Sequence, residues 1–195
     1  MFAFGNKHPY HEAEVTTPLK SSRPIALAVH DQRHYVVDGS KSGTFCGSLR
    51  SGVGIPYDIS TKSGKTLAED ILEVTGKAIE KNGNKLVKVV TRSGLIKDAV
   101  IAELVKTQAP RALYVDILEW KTDTYVKADL YCLINLQVLD NDGNVLAENS
   151  VKASREPFGG SFWNPKKAAK KGALKALKIK MEELLNHPDI LKAFE

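Results

Sequence analysis

The sequence is poor in the features that would assign it quickly. Two cysteines, Cys46 and Cys132, are too few for a disulfide framework or a structural zinc site. No apolar run approaches the length needed to cross a bilayer, and Met1–Pro24 contains neither a hydrophobic segment nor a cleavage pattern. No low-complexity tract or heptad repeat is present. His8 and His11 are too isolated to suggest a metal, so neither metal nor cofactor is expected. These gaps leave an ordinary globular composition over 195 residues, 43% hydrophobic and 26% charged, enough for one domain with a substantial core.

The clearest pattern is strand-like. In Val126, Ala128, Leu130, Cys132, Ile134, Leu136 and Val138 apolar residues recur at every second position, and Cys132 reads as a small core hydrophobe. The run stops at Asp140–Asn144, where Asp142-Gly143 marks a hairpin, and alternation resumes from Val145 to Ala153. Upstream, Arg111–Trp120 predicts a third strand with Leu113, Val115 and Ile117 on one face and Tyr114, Leu118 and Trp120 on the other. A short link from Lys121 to Tyr125 makes the three an antiparallel meander.

Elsewhere the chain alternates elements. Residues 1–23 read as a polar, extended tail, and 24–195 as a single domain. Ile25–Val29 predicts a buried strand ending in His30-Asp31-Gln32-Arg33. Neighbouring strand residues point to opposite faces, so His30 and Asp31 do not form a dyad, and this exit is expected to be held by surface hydrogen bonds and an ion pair. From Asp38 to Thr66 periodicity disappears and glycines stand at 39, 43, 47, 52, 54 and 64. A long Gly-rich loop of this kind is either a binding surface or a cover for a sheet edge. Cys46 within it reads as a free thiol, with a bridge to Cys132 left open.

Thr66 and Glu69 form a capping box for a helix over Leu67–Asn82, with Asp70 assigned to its outer face. Ser63-Gly64-Lys65-Thr66 also resembles the end of a phosphate-binding loop. That loop needs a further glycine five positions before Gly64, where Ile59 stands, so a nucleotide-binding enzyme is the weakest reading. Lys85–Thr91 predicts a strand, and Leu95–Gln108 a helix apolar round most of its circumference, to be covered by the loop or by another subunit. The last helix, from Pro165 to about Asn186, carries Lys166, Lys167, Lys170, Lys171, Lys175, Lys178 and Lys180. Those are seven of 28 basic residues; the remaining 21 face 23 acids, so this helix holds the whole positive excess. Ala168, Ala169, Gly172, Ala173, Ala176 and Ile179 form a small-residue face suited to packing on a sheet. Polyanion binding through Lys166, Lys167, Lys170 and Lys171 is therefore the alternative function rather than the first.

The expected fold is α+β: a mixed sheet with a C-terminal antiparallel meander, three helices packed on it and one long Gly-rich loop. This order, with His30-Asp31-Gln32-Arg33, the segment Arg50–Asp58, Ser63-Gly64-Lys65 and Asp142–Ala147, resembles small bacterial envelope lipoproteins of the YajG type. It also resembles auxiliary lipoproteins of ABC-type transporters, which look like curli-export and TolB N-terminal domains. The resemblance implies a non-catalytic binding or assembly domain of the envelope or periplasm, with a protein partner, homo-oligomer formation and no nucleic acid. Membrane attachment in such families uses a lipidated cysteine after a signal peptide, whereas the first cysteine here is Cys46; an unprocessed Met1 form implies the cytoplasm. In this reading Arg50 and Asp58 supply orienting charges, Tyr57 an aromatic anchor, and His30 and Arg33 flank them.

Overall fold

The computed structural model describes residues 7–125, 127–159 and 165–195, with backbone only at 159 and 165–168. Its strands are β1 (Lys7–His8), β2 (Ile25–Asp31), β3 (Phe45–Arg50), β4 (Pro56–Thr61), β5 (Leu86–Val89), β6 (Arg111–Thr124), β7 (Ala128–Leu139) and β8 (Val145–Gly159). The helices are α1 (His34–Val37), α2 (Leu67–Glu80), α3 (Lys97–Lys106), α4 (Pro165–Leu185) and α5 (Pro188–Lys192), with a 3-10 turn at Tyr10–Glu12. All eight strands form one mixed sheet, so the α+β expectation holds.

The long strand β6 organises it. Its first half pairs in parallel with β2, its second half in parallel with β3, and its other edge along its length with antiparallel β7. β5 extends the sheet beyond β2, β4 and β1 extend it beyond β3, and β8 closes the meander. The alternation in β7 is obeyed from Ala128 to Val138, and Gly143 adopts φ 88° in the hairpin turn. Val126 lies outside the described residues.

Helices α2, α4 and α5 cover one face, burying Leu113, Val115, Ile117, Leu130, Ile134 and Leu136 in the main core. α3 covers the opposite face of the β2/β6 end through Val100 and Leu104 on Ala26, Ala28, Ala112 and Tyr114. A bulge between Ile117 and Glu119 shifts the β6 register, so Trp120 turns into the main core instead of joining Tyr114 on the other face.

The Thr66–Glu69 capping box forms as expected, yet Asp70 is fully buried and not on the outer face of α2. Ile179 of α4 is exposed, while Leu177, Met181, Leu184 and Leu185 fill the core beside Ala173 and Ala176. α3 is met by the β7–β8 turn, where Gly143 sits against Ile101 and Val105, and not by the 38–66 segment; Ile96 stays largely exposed.

Nor are residues 7–19 a loose polar tail. β1 pairs with β4, and His8 Nε2 lies 3.1 Å from Thr122 Oγ1. Tyr10, fully buried, accepts a 3.0 Å hydrogen bond from Trp120 Nε1, and Val15 and Leu19 are buried after it. Asn82 and Asn84 then donate to the Thr17 and Leu19 carbonyls. The segment's backbone carbonyls serve the asparagines that follow α2, while its few apolar residues enter the core. Replacing Tyr10 by Phe strands the buried Trp120 N–H and is expected to cost about 1–3 kcal/mol, and Tyr10→Ala about 3–5 kcal/mol by analogy with other large aromatic truncations. Urea unfolding measures both; costs below about 0.5 kcal/mol would be those of a surface tail.

Candidate functional site

The segment expected as an irregular loop is a hairpin. β3 and β4 pair from Phe45↔Ser60 to Arg50↔Pro56. Glycine hides the strand pattern and also permits it: a Cβ on Gly47 would collide with the Thr122 side chain and backbone, so only glycine lets β3 approach β6. Cys46 is buried and free, 3.4 Å from the Ile59 carbonyl, as is Cys132 in the core; no bridge joins them.

The expected contact residues do not converge. Arg50 Nε and Nη2 grip Asp123 Oδ1 and Oδ2 at 2.9 and 2.6 Å, so this arginine fastens β3 to β6. Asp58 takes Lys41 Nζ on both oxygens at 2.7 Å. Tyr57 pairs across the hairpin with Leu49, on the side opposite Arg50 and Asp58. What projects instead is the turn: Ser51 N donates to Ile55 O, Gly54 takes φ 85°, and Val53 and Ile55 stand 81% and 54% exposed. Tyr125, half exposed, donates to the Gly52 carbonyl at 3.1 Å. Between this tip and the ends of β6–β8 lies an open groove of about 910 Å³, lined by Arg50, Asp123, Tyr125, Asp129, Tyr131 and Arg155.

His30 and Arg33 are interior, not surface, residues. Arg33 Nε and Nη2 contact Asp31 at 2.8 and 2.6 Å; Nη1 donates to the Phe45 carbonyl at 2.6 Å and the Trp120 carbonyl at 3.2 Å, and Nη2 to Gly43 at 3.3 Å. The ion pair expected at the strand exit exists, but it is buried. His30 points to the other face, as its alternation requires. The Gln32 amide, held by the Leu95 carbonyl, donates to His30 Nε2 at 2.7 Å, which places the proton on Nδ1, 2.9 Å from the Tyr114 hydroxyl. Asp116 lies two residues on from Tyr114, on the same face of β6. Burial pushes Asp116 up to about 6, against the pull of Lys97 and Tyr114, and burial lowers His30. Tyr114 and Asp116 were missed in the sequence as site residues; their only local signal is a spacing of two on the non-core face of β6.

The Lys65 and Thr66 amides serve the fold, the first donating to Ser63 Oγ. Thr66 N and Oγ1 meet Glu69 Oε2, Glu69 N returns to Thr66 Oγ1, and Lys65 pairs with Glu73. Of the α4 lysines, Lys170 and Lys171 are exposed, Lys178 lies 3.8 Å from Glu182, and buried Lys180 is held by Glu156 and Glu183. The side chains of Lys166 and Lys167, and Phe162 and Trp163, fall outside the described residues. The described part of the helix thus buries one of its cations, Lys180, and pairs a second, Lys178, at the surface.

No family model and no curated protein matches the chain. Among solved structures it is similar to protein XCC0632 from Xanthomonas campestris, of family DUF330, with 14% identity, a TM-score of 0.53, and coverage of 88% of this chain and 89% of that one. A PelC dodecamer from Paraburkholderia phytofirmans matches at 12% identity and TM-score 0.42, covering 93% of this chain and 96% of that one. The LpoB C-terminal domain from Salmonella enterica matches at 9% identity and TM-score 0.37, covering 72% and 88%. The first of these shows a shared fold.

The raised Asp116 gives a pH test. Folding holds its proton more tightly between the unfolded value near 3.8 and the folded value of about 6, so its contribution to stability falls as pH rises through that window. Thermal unfolding of Asp116→Asn against the parent should show a difference in Tm that moves in the variant's favour from about pH 4 to pH 6 and is level above pH 7. A flat difference would place Asp116 at an ordinary carboxylate value.

Proposed function

We propose that this chain is a non-catalytic binding and assembly domain of the bacterial cell envelope, acting through protein–protein contacts made by the β3–β4 hairpin. The observation that carries this reading is the tip itself. Val53, Ile55 and Tyr125 expose apolar surface together, on a hairpin made rigid from below by Arg33 and from the side by the Arg50–Asp123 pair. An apolar centre with an arginine-bearing polar rim is the anatomy of a protein interface. Arg50 and Asp58 thereby keep a part in the reading as rim residues that set the hairpin's shape, and Tyr57 extends the apolar surface on its other side.

Two chemical facts support a role without catalysis. Burial pushes the Cys46 thiol well up and the Cys132 thiol up to about 11, so neither offers a thiolate near neutral pH. Both nitrogens of His30 are engaged within the protein. The envelope setting rests on the sequence resemblance, with which the fold shared with XCC0632 is compatible.

A photo-crosslinking side chain at position 53 in cells should give a discrete protein adduct in the envelope fraction, while the same group at exposed Lys106 on α3 should not. Val53→Asp combined with Ile55→Asp should abolish capture of that partner and leave the unfolding midpoint within about 0.5 kcal/mol of the parent. Adducts that are identical from both positions, or that survive the double substitution, would contradict the reading.

A further inference from the structure

The non-core face of the sheet carries a second polar site, away from the hairpin tip. The register of β6, β7 and β8 lays two rows across it, Tyr114–Gln137–Glu148 and Asp116–Asn135–Ser150. Lys97 at the start of α3 forms one wall and His187, between α4 and α5, the other, enclosing a cleft of about 440 Å³. That volume is within the range of small-molecule sites, about 300–1,000 Å³.

Two acceptors in this cleft are buried without a partner: Asp116 Oδ1 and Gln137 Oε1. The Gln137 orientation is set by its amide, which donates to Glu148 Oε2 at 3.2 Å and so turns the carbonyl oxygen away from that carboxylate. Buried acceptors call for donors. The His30 proton already serves Tyr114, and although Lys97, Asn135 and Ser150 line the same cleft, none of them donates to either acceptor. Formal charge points the same way. Asp116 and Glu148 face Lys97 alone among the permanent cations, which leaves the cleft with a net negative charge when His187 is neutral.

We infer that this cleft binds a small organic cation through its N–H donors, an alkylammonium or guanidinium group held between Asp116, Gln137 and Glu148. An anion would meet two carboxylates and the unpaired acceptors. A neutral alcohol could give hydrogen bonds but would leave the charge unanswered. The same head group could come from a free amine or from a lysine or arginine side chain of a docked polypeptide, and the test separates the two.

The intact protein, labelled for NMR, is titrated at pH 7.5 and low salt with 1,4-diaminobutane, with methylguanidinium, with 1,4-butanediol as the uncharged control, and with a short uncharged peptide bearing one lysine. Saturable shifts centred on Tyr114, Gln137 and Glu148 are expected with the cations. A stronger response to the diamine assigns a free amine, and a stronger response to the peptide a side chain; both keep the cation site. Asp116→Asn and Gln137→Leu should each weaken binding about ten-fold or more, as expected for loss of a hydrogen bond to a charged group. Affinity should also fall below about pH 6 as Asp116 takes up a proton. His30, Lys97, Glu148 and His187 face the same region and, with the charge of Asp31 on the opposite face of β2, shape that profile, so the pH dependence must disappear in Asp116→Asn to be credited to Asp116. Absence of saturable shifts, equal response to the diol, or binding untouched by both substitutions would overturn the inference and leave a cleft filled by water.

Discussion

The Arg33 guanidinium is the interaction on which the rest depends. It is fully buried and paired with an equally dry Asp31, and its remaining donors reach carbonyls of Gly43, Phe45 and Trp120. It therefore stands where the end of β2, the start of β3 and the bulged part of β6 meet. A buried charge pair is a poor source of net stability, because desolvation offsets much of its attraction. Its value is geometric: planar, fixed donors specify where three strands change partners. At that place β6 leaves β2 and takes up β3, and no run of apolar side chains could select that switch so narrowly.

From this junction the molecule divides into a core side and a polar side. α2, α4, α5 and the Tyr10 segment cover the first, and most large apolar residues lie there. α3 and α1 cover only the ends of the second, leaving the middle of β6–β8 lined with Asp116, Asn135, Gln137 and Glu148, and the far end beside Arg50, Asp123 and Tyr131. A sheet with one face open suits contact with other molecules. The hairpin tip is apolar and projecting, the cleft polar and recessed, and the two differ in the chemistry they can recognise.

Local periodicity made half of this legible. The β7–β8 hairpin, the capped helix α2 and the buried run of β2 follow from spacing alone, since each element's own residues declare its period. Longer-range features did not. β3 consists of Phe45-Cys46-Gly47-Ser48-Leu49-Arg50, in which glycine and serine erase the alternation, and its strand character comes from pairing with Thr122–Thr124, more than 70 positions away. Strict alternation along β6 predicts the wrong face for Trp120 because a bulge interrupts it. Residues 7–19 read as polar tail because Tyr10, Val15 and Leu19 have no regular spacing. Of the site, Arg50, Asp58 and Arg33 stand out as charges, but each is paired within the fold; the projecting Val53 and Ile55 and the rows that start at Tyr114 and Asp116 are visible only once strands are in register.

The central claim is that Arg33 ties the β3–β4 hairpin to the sheet. It is tested most directly by amide hydrogen exchange and urea unfolding of Arg33→Met. Removing one partner leaves Asp31 charged and unpaired, and the account predicts a loss of about 3–5 kcal/mol, with β3 and β4 amides losing protection well before those of β7. A loss below about 1 kcal/mol with β3–β4 protection unchanged would contradict it, and would leave the hairpin held by the Arg50–Asp123 pair and its own ladder.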